Sequence, residues 1–440
     1  MRTLFHTCCS LLAVFILPGL YVHINAQTTW DTPEELQEMI TEMKANFPKL
    51  KELHQMDKNF EYRRDLARGA YFPIVGANLG YQYMFPVSEF LSPTGEMIPI
   101  FPNHNYSAQI YVNHPIWDFG KTKANIDKVD NEQLQLEHNI AFTESNLSYQ
   151  LANLYYTILF LEKSLAIQDS EMVAAKLAED LTLKRYKAGD ALEVDLLNTR
   201  VRIDQISNKR TDIHTGLDKQ RGLLSYLSGM DLSEFKIDAN MDFPGDDALE
   251  SLLADTTFER NSDVVSSIDK LLLSKNDLAL TSKMGYPTLA FQAAGGMKDG
   301  YLPDLEAPKG NVLVGASISF PFFAGFRFRS MTKISTNQVS VAELGVESAN
   351  AEARKNYDQA LQDYISAEEK LQRFTSLIET ADKALKITNS RYNNGLITSY
   401  ELILAQNNLE SSKMAKVQME FQRWMAILEV NRILGTKFWN

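Results

Sequence analysis

A mostly α-helical protein with a membrane β-barrel part, built as a tandem duplication, is the fold class this 440-residue sequence predicts. Three observations carry the prediction. Landmarks recur at a constant offset: Arg185-Tyr186-Lys187-Ala188-Gly189 returns as Arg391-Tyr392-Asn393-Asn394-Gly395 (391 − 185 = 206), Pro115 as Pro321 (321 − 115 = 206) and Gly229 as Gly435 (435 − 229 = 206). Between Gly120 and Gly189 run 68 residues without proline or glycine. Four short segments alternate apolar with small or polar residues at period two. A fixed offset across a proline, a helix-ending glycine and a terminal glycine means two copies of one structural plan.

Residues 1–26 read as a secretory signal, with the single basic residue Arg2, an apolar run from Leu11 to Leu17, the helix-breaking Pro18-Gly19 and a cut after Ala26. Cys8 and Cys9, the only cysteines, precede that apolar run, so the mature chain has neither thiol nor lipid. Disulfides and thiolate chemistry are thereby excluded from it. Residues 27–70 form an N-terminal helical segment: Thr32-Pro33 before Glu34-Glu35 marks a helix start, Asn46-Phe47-Pro48 a break, and Leu50 to Arg68 a second helix.

A first hairpin is expected over 71–115 and a second over 286–321. From Val75 to Phe85 the odd positions are Val, Ala, Leu, Tyr, Tyr and Phe, while the even ones are Gly, Asn, Gly, Gln and Met; Tyr106 to Val112, Leu289 to Gly295 and Val312 to Phe320 repeat the pattern. Such alternation marks strands between two different solvents. A soluble half-buried sheet fits it too. The absence of charge in these segments, the long tips (Pro86 to Asn105, Met297 to Gly310) and the aromatics at strand ends (Tyr81, Tyr83, Phe85, Tyr106) favour a membrane barrel. No later stretch has the roughly 18 apolar residues of a membrane helix, so a crossing would use strands. Four strands cannot close, because the narrow barrels have about eight; three copies would supply about twelve.

Rod, turn and return helix then occupy 116–229 and, in the second copy, 322–440. A continuous helix from Gly120 to Gly189 would be roughly 100 Å long. Leu147, Leu151, Leu154, Ile158, Leu161 and Leu165 step by four and three, a heptad seam that Leu371, Phe374, Ile378, Ala381 and Leu385 repeat, with Gly345 interrupting the second rod without breaking its phase. Gly189 and Gly395 end the rods, and Leu196-Leu197-Val201 and Leu402-Ile403-Leu409 begin the way back. Between the copies, 230–262 is a linker, acidic from Asp231 to Asp247 and containing Pro244-Gly245; a further helix over 263–285 leads into the second hairpin.

The net charge is −12, or −13 once Arg2 is removed, which argues against nucleic acid as a partner. His54, His104, His114, His138 and His214 show no metal-ligand spacing, and no nucleophile elbow, phosphate loop or zinc motif occurs. Glu368-Glu369 belongs to a solvated rod face. No catalytic, cofactor-binding or metal-binding residue is predicted. Arg185 and Arg391, in the last helical turns, are placed either to face the helix dipole or to gate, and Tyr186 and Tyr392 to pack across the turns.

Two Arg-Tyr-x-x-Gly turns in register, each followed six positions on by an acid (Asp195, Glu401), and the transitions Pro115-Ile116-Trp117-Asp118-Phe119-Gly120 and Pro321-Phe322-Phe323-Ala324-Gly325 resemble the TolC-like outer-membrane efflux protein family. The resemblance spans the chain from about Thr32 to Gly435. It implies a homotrimer in outer-membrane lipid of a Gram-negative bacterium, four strands per protomer in one barrel, and a helical tunnel across the periplasm. It further implies the exit duct of a tripartite efflux pump or of type I secretion, with an inner-membrane transporter of RND or ABC type and a periplasmic adaptor docking at the turns around Tyr186, Gly189 and Gly395. The family's periplasmic constriction maps onto Tyr392 and Asp195. Ile397, however, stands where well-known members carry an arginine. Asp195 and Glu401 would line the aperture as acidic rings. A secreted coiled-coil scaffold with a soluble β cap is the alternative from another class.

Overall fold

The computed structural model describes residues 32–244, 257–301 and 304–439; the predicted signal, and the linker from Gly245 to residue 256, lie outside these. Two short helices, α1 (Glu34–Asn46) and α2 (Pro48–Gly69), precede strand β1 (Ile74–Tyr83). A small ladder in the first tip, β2 (Glu89–Leu91) with β3 (Met97–Pro99), is followed by β4 (His104–Trp117), the rod α3 (Lys121–Ala188) and its return α4 (Glu193–Ser228). The second copy runs α5 (Ser262–Lys283), β5 (Thr288–Lys298), β6 (Lys309–Ser319), rod α6 (Arg327–Asn393) and return α7 (Ser399–Leu434).

The sheet order β1-β4-β5-β6 leaves β1 and β6 as edges. Register places most of the apolar residues of the four strands on one face, with Tyr111 and Leu313 on the other. Val75 opposes Val112, Val112 opposes Ala293, and Ala293 opposes Val314; two rows along on the same face, Leu79, Ala108, Met297 and Gly310 line up in the same way. Residues directly opposite share a face, so Gly76, Asn78, Gly80 and Gln82 lie with Ser107, Gln109, Gln292, Asn311 and Ser317 on the other. The apolar face has no cover in the protomer: Leu79 and Val312 are each 81% exposed. Charge enters only at the tip end, where Lys298 pairs with Lys309. The hairpins superimpose with two offsets: Val112 and Ile318 differ by 206, whereas their partners Val75 and Leu289 differ by 289 − 75 = 214. The excess falls in the tips.

The strand-to-rod turn falls at the far end of the Pro115 to Gly120 stretch. In the first copy Pro115 is still paired within β4, opposite Ala290, and a bulge follows before Trp117; proline lacks only the donor, which a bulged ladder can spare. The turn itself comes later. Phe119 (φ 56°) and Gly120 (φ 81°) are both left-handed, and 206 residues on so are Gly325 (φ 60°) and Phe326 (φ 61°), with glycine and phenylalanine exchanged. Asp118 adds a cap in the first copy, accepting from the amides of Gly120 (2.9 Å) and Thr122 (2.6 Å).

Each rod outlasts its return helix. α4 and α7 fold back along part of α3 and α6, and α2 and α5 pack along much of the rest. The largest core gathers where these segments meet α1: Leu36, Met43, Leu151, Tyr155, Ile158 and Trp424 are buried, and the tail residues Phe438 and Trp439 pack edge-on to Tyr149. The first heptad seam lies in that core or packed against it. The second, from Leu371 to Leu385, is only half-buried in a single protomer, and α6 continues through Gly345 without a break.

Candidate aperture and docking site

Both rods stop in the same way. The Gly189 amide donates to the Tyr186 carbonyl (3.1 Å) and the Asp190 amide to the Arg185 carbonyl (2.8 Å); Gly395 donates to Tyr392 (3.0 Å) and Leu396 to Arg391 (3.0 Å). This is the Schellman arrangement, and it requires the left-handed φ of 85° at Gly189 and 73° at Gly395. The repeated motif is thus first a stop signal. It satisfies carbonyls that the helix ends leave open.

The two turns are fastened to each other. Arg185 donates through Nη1 to the Tyr392 carbonyl (2.9 Å) and lies 4.9 Å from the centroid of its ring. The Tyr392 hydroxyl meets Thr182 Oγ1 at 2.5 Å, and the tyrosine is 2% exposed. Arg185 therefore serves the carbonyl end of the other copy's rod, where a cation is favoured, an outcome between the two roles considered from sequence. Asp195 closes a second link. Its Oδ1 accepts from the Ser399 hydroxyl (2.6 Å) and amide (3.2 Å), while Oδ2 accepts from the Leu192 amide (3.1 Å) as the third-residue half of a helix cap. Partial burial opposes its charge, but the Ser399 and Leu192 bonds, with Arg185 nearby, bring its carboxyl below the usual carboxylate range.

Deeper in the rods lies a buried ionic cluster. Glu410 of α7 accepts from Arg202 of α4, from Lys209 Nζ (2.6 Å) and from Gln168 Nε2 of α3 (2.8 Å), and Arg202 also approaches Glu171 at 3.8 Å. Burial opposes ionisation of Glu410, but the donors outweigh it and hold its pKa down to about 2; Glu171, with burial dominant and Glu410 close, is pushed up. This cluster ties the return helix of the second copy to the rod pair of the first.

Other predicted residues are not joined within the protomer. Tyr392 and Asp195 do not bond each other, each being engaged elsewhere. Tyr186 is 41% exposed, and Arg391, Glu401, Gly189 and Gly395 are exposed. Pro321 and Gly325 sit at the second strand-to-rod junction, far along the chain from the turns, as do Pro115 and Gly120 in the first copy. Thr182, Ser399, Arg202 and Glu410 are partners that reading the motifs missed. A signal existed: Arg202 stands among Leu196, Thr199 and Ile206, and Glu410 beside Leu402, Gln406 and Leu409, charges at apolar-seam spacing. Among the described residues no cluster could hold a metal ion, and no helix is long and apolar enough to cross a membrane.

A family model described as Outer membrane efflux protein matches residues 39–218 and 253–436, one stretch per copy. Outer membrane protein TolC of Vibrio cholerae serotype O1 is 18% identical over 413 residues, covering 92% of this chain and 91% of that protein. In three dimensions the chain is similar to the outer membrane protein VceC of Vibrio cholerae (TM-score 0.76, 16% identity, 92% of this chain and 97% of that one). It is also similar to the outer-membrane channel OprN (TM-score 0.74, 19% identity, 92% and 90%). At these identities the structural likeness is one of fold.

Proposed function

This chain belongs to the outer membrane efflux protein family, and is accordingly an outer-membrane channel protein rather than an enzyme; from that membership we propose that three copies close into one barrel and one periplasmic tunnel, the passive exit duct of a tripartite pump. The observation that carries this is the sheet. Its two edges, β1 and β6, are unpaired, and its apolar face is bare. In lipid each unpaired backbone group costs several kcal/mol, which closure by further copies removes. An uncharged apolar face is what lipid would contact.

The same reading gives roles to the turns. The tunnel rests closed at the periplasmic tip, where Arg185, Tyr392 and Asp195 fasten the two copies of one protomer. Asp195 and Glu401, repeated about the axis, form acidic rings that favour cations. The turns at Gly189 and Gly395 present about six similar knuckles to hairpins of a periplasmic adaptor that links the duct to an inner-membrane transporter of RND or ABC type. Efflux is favoured over type I secretion by the family's description.

Closure makes a numerical prediction about register. If β6 meets the next protomer's β1 as β4 meets β5, the pair Val112–Ala293 maps to residues 112 + 206 = 318 and 293 − 214 = 79. Ile318 should then face Leu79 of the partner subunit. Oxidising a Leu79→Cys/Ile318→Cys double variant in outer membranes should give covalent dimers and trimers on denaturing gels. A protein that stays monomeric by native mass spectrometry in mild detergent, with no such ladder, would overturn the trimeric duct.

A further inference from the structure

The turns of the two copies have the same backbone but different surroundings. Tyr392 is buried beneath Arg185; its equivalent Tyr186 (392 − 206) is exposed, and so is Arg391, the equivalent of Arg185. Among the described residues neither side chain has a hydrogen-bond or ionic partner in its own protomer. The groups that would receive them are nevertheless ready. Thr182, which meets the Tyr392 hydroxyl, donates to the Ala178 carbonyl (2.7 Å), and its equivalent Thr388 donates in the same way to Ala384 (2.8 Å), again 206 residues on.

We propose that Arg391 of one protomer lies over the ring of the partner subunit's Tyr186 and donates to its backbone carbonyl, repeating between subunits the contact that Arg185 and Tyr392 make within one. The inference rests on the trimeric reading and identifies the partner as a second copy of this chain. Rotational closure of a ring made from two like halves alternates two kinds of seam, one within a chain and one between chains, and similar surfaces meet at both. Donor, ring and carbonyl are all duplicated; only their neighbours differ.

The remaining fastenings do not survive the transfer. Asp195 with Ser399 becomes Glu401 with Glu193, two carboxylates, and the buried pair Arg202 with Glu410 becomes the exposed Asn408 with Asp204. Ile397 brings no charge to the turn. The Arg391–Tyr186 contact is therefore the main polar fastening of every seam between subunits at the tip, and those seams part before the ones within a chain.

Chemical cross-linking tests this, because Cys8 and Cys9, in the predicted signal, are the only native cysteines. A Tyr186→Cys/Arg391→Cys double variant treated with a short bis-maleimide should give covalent dimers and trimers, and neither single variant should. Arg185→Cys/Tyr392→Cys should cross-link without change of mass. The uncrossed trimer also gives a second reading: Arg391→Ala should raise the open fraction in bilayer recordings by about fivefold per seam, the factor expected for one net hydrogen bond lost, and Arg391→Lys by less. A covalent ladder from the Leu79/Ile318 pair without one from the Tyr186/Arg391 pair, or an unchanged open fraction in Arg391→Ala trimers, would overturn the contact and leave the duct intact. Loss of both ladders together with a monomeric mass would remove the duct itself.

Discussion

The guanidinium of Arg185 covers the ring of Tyr392 at 4.9 Å and donates to the carbonyl of the same residue at 2.9 Å, so one side chain grips another residue by both its ring and its backbone. Removing the arginine loses a cation–π contact and a charge-assisted hydrogen bond; removing only the tyrosine hydroxyl loses a bond to Thr182 that is worth about 1 kcal/mol net. Arg185→Ala should therefore raise resting conductance in lipid bilayers more than Tyr392→Phe. The opposite order would show that the hydroxyl, rather than the guanidinium, carries the fastening.

Glu410 is expected to be the most costly single charge to remove. Arg202 is 4% exposed, and Glu410→Ala would leave it buried with only the more distant Glu171, a loss of about 3–5 kcal/mol. Because the folded pKa of Glu410 is depressed to about 2, its contribution is fully present above the unfolded carboxylate value and disappears as pH falls from there toward the folded one. Chemical denaturation should show wild type losing stability over that acid window more steeply than the variant. Parallel pH profiles for the two would contradict the linkage.

The two faces of the sheet should differ in tolerance. Leu79→Arg places a charge on the apolar face and should cost roughly 2–4 kcal/mol, blocking insertion, whereas Ser317→Arg on the opposite face should insert normally. Heat-modifiable migration on gels reads the difference directly. Equal outcomes would mean that the sheet does not separate lipid from water.

Tryptophan at the stop glycines should abolish efflux while sparing the barrel. A side chain at Gly189 finds open space but a φ of 85°, and at Gly395 it also crowds Arg185 Nη2 at 3.3 Å. The left-handed conformation costs about 1 kcal/mol, too little to unfold a rod, while the bulk would obstruct an adaptor hairpin. Gly189→Trp and Gly395→Trp should keep normal trimer yield and lose efflux and adaptor cross-linking. Full efflux with both in place would move docking to another surface.

Sequence reading reached the architecture because its signals are periodic or repeated. Gly189, Gly229, Gly395 and Gly435 all lie where the helices end, each with positive φ, and the alternation from Val75 onward placed one face correctly on four strands. It failed where meaning depends on a distant neighbour. Arg185 and Arg391 are indistinguishable as letters, yet one is stacked on a buried ring and the other is exposed, because duplication copies a surface without copying what it meets. The bulge that keeps Pro115 in the ladder has no signature in the residues around it. Arg202 and Glu410 acquire their meaning only when three helices are brought around them.

Thr32 donates its hydroxyl to the Phe438 carbonyl at 2.8 Å, so the first and last stretches of the described chain are neighbours. Followed through space, the polypeptide is a loop that goes round twice, each circuit being one copy, and it could be opened between the circuits as well as where it is. A gene in which the predicted signal is followed by the second half and then the first, with residues 438 and 32 joined by a short spacer and the new ends placed after residue 244, should encode the same object. Such a rearranged chain would build its strands in the cyclic order β5, β6, β1, β4, exchanging which sheet seam lies within a chain and which between chains. The distinction between a covalent seam and an assembled one is, for this protein, a matter of where the reading frame starts.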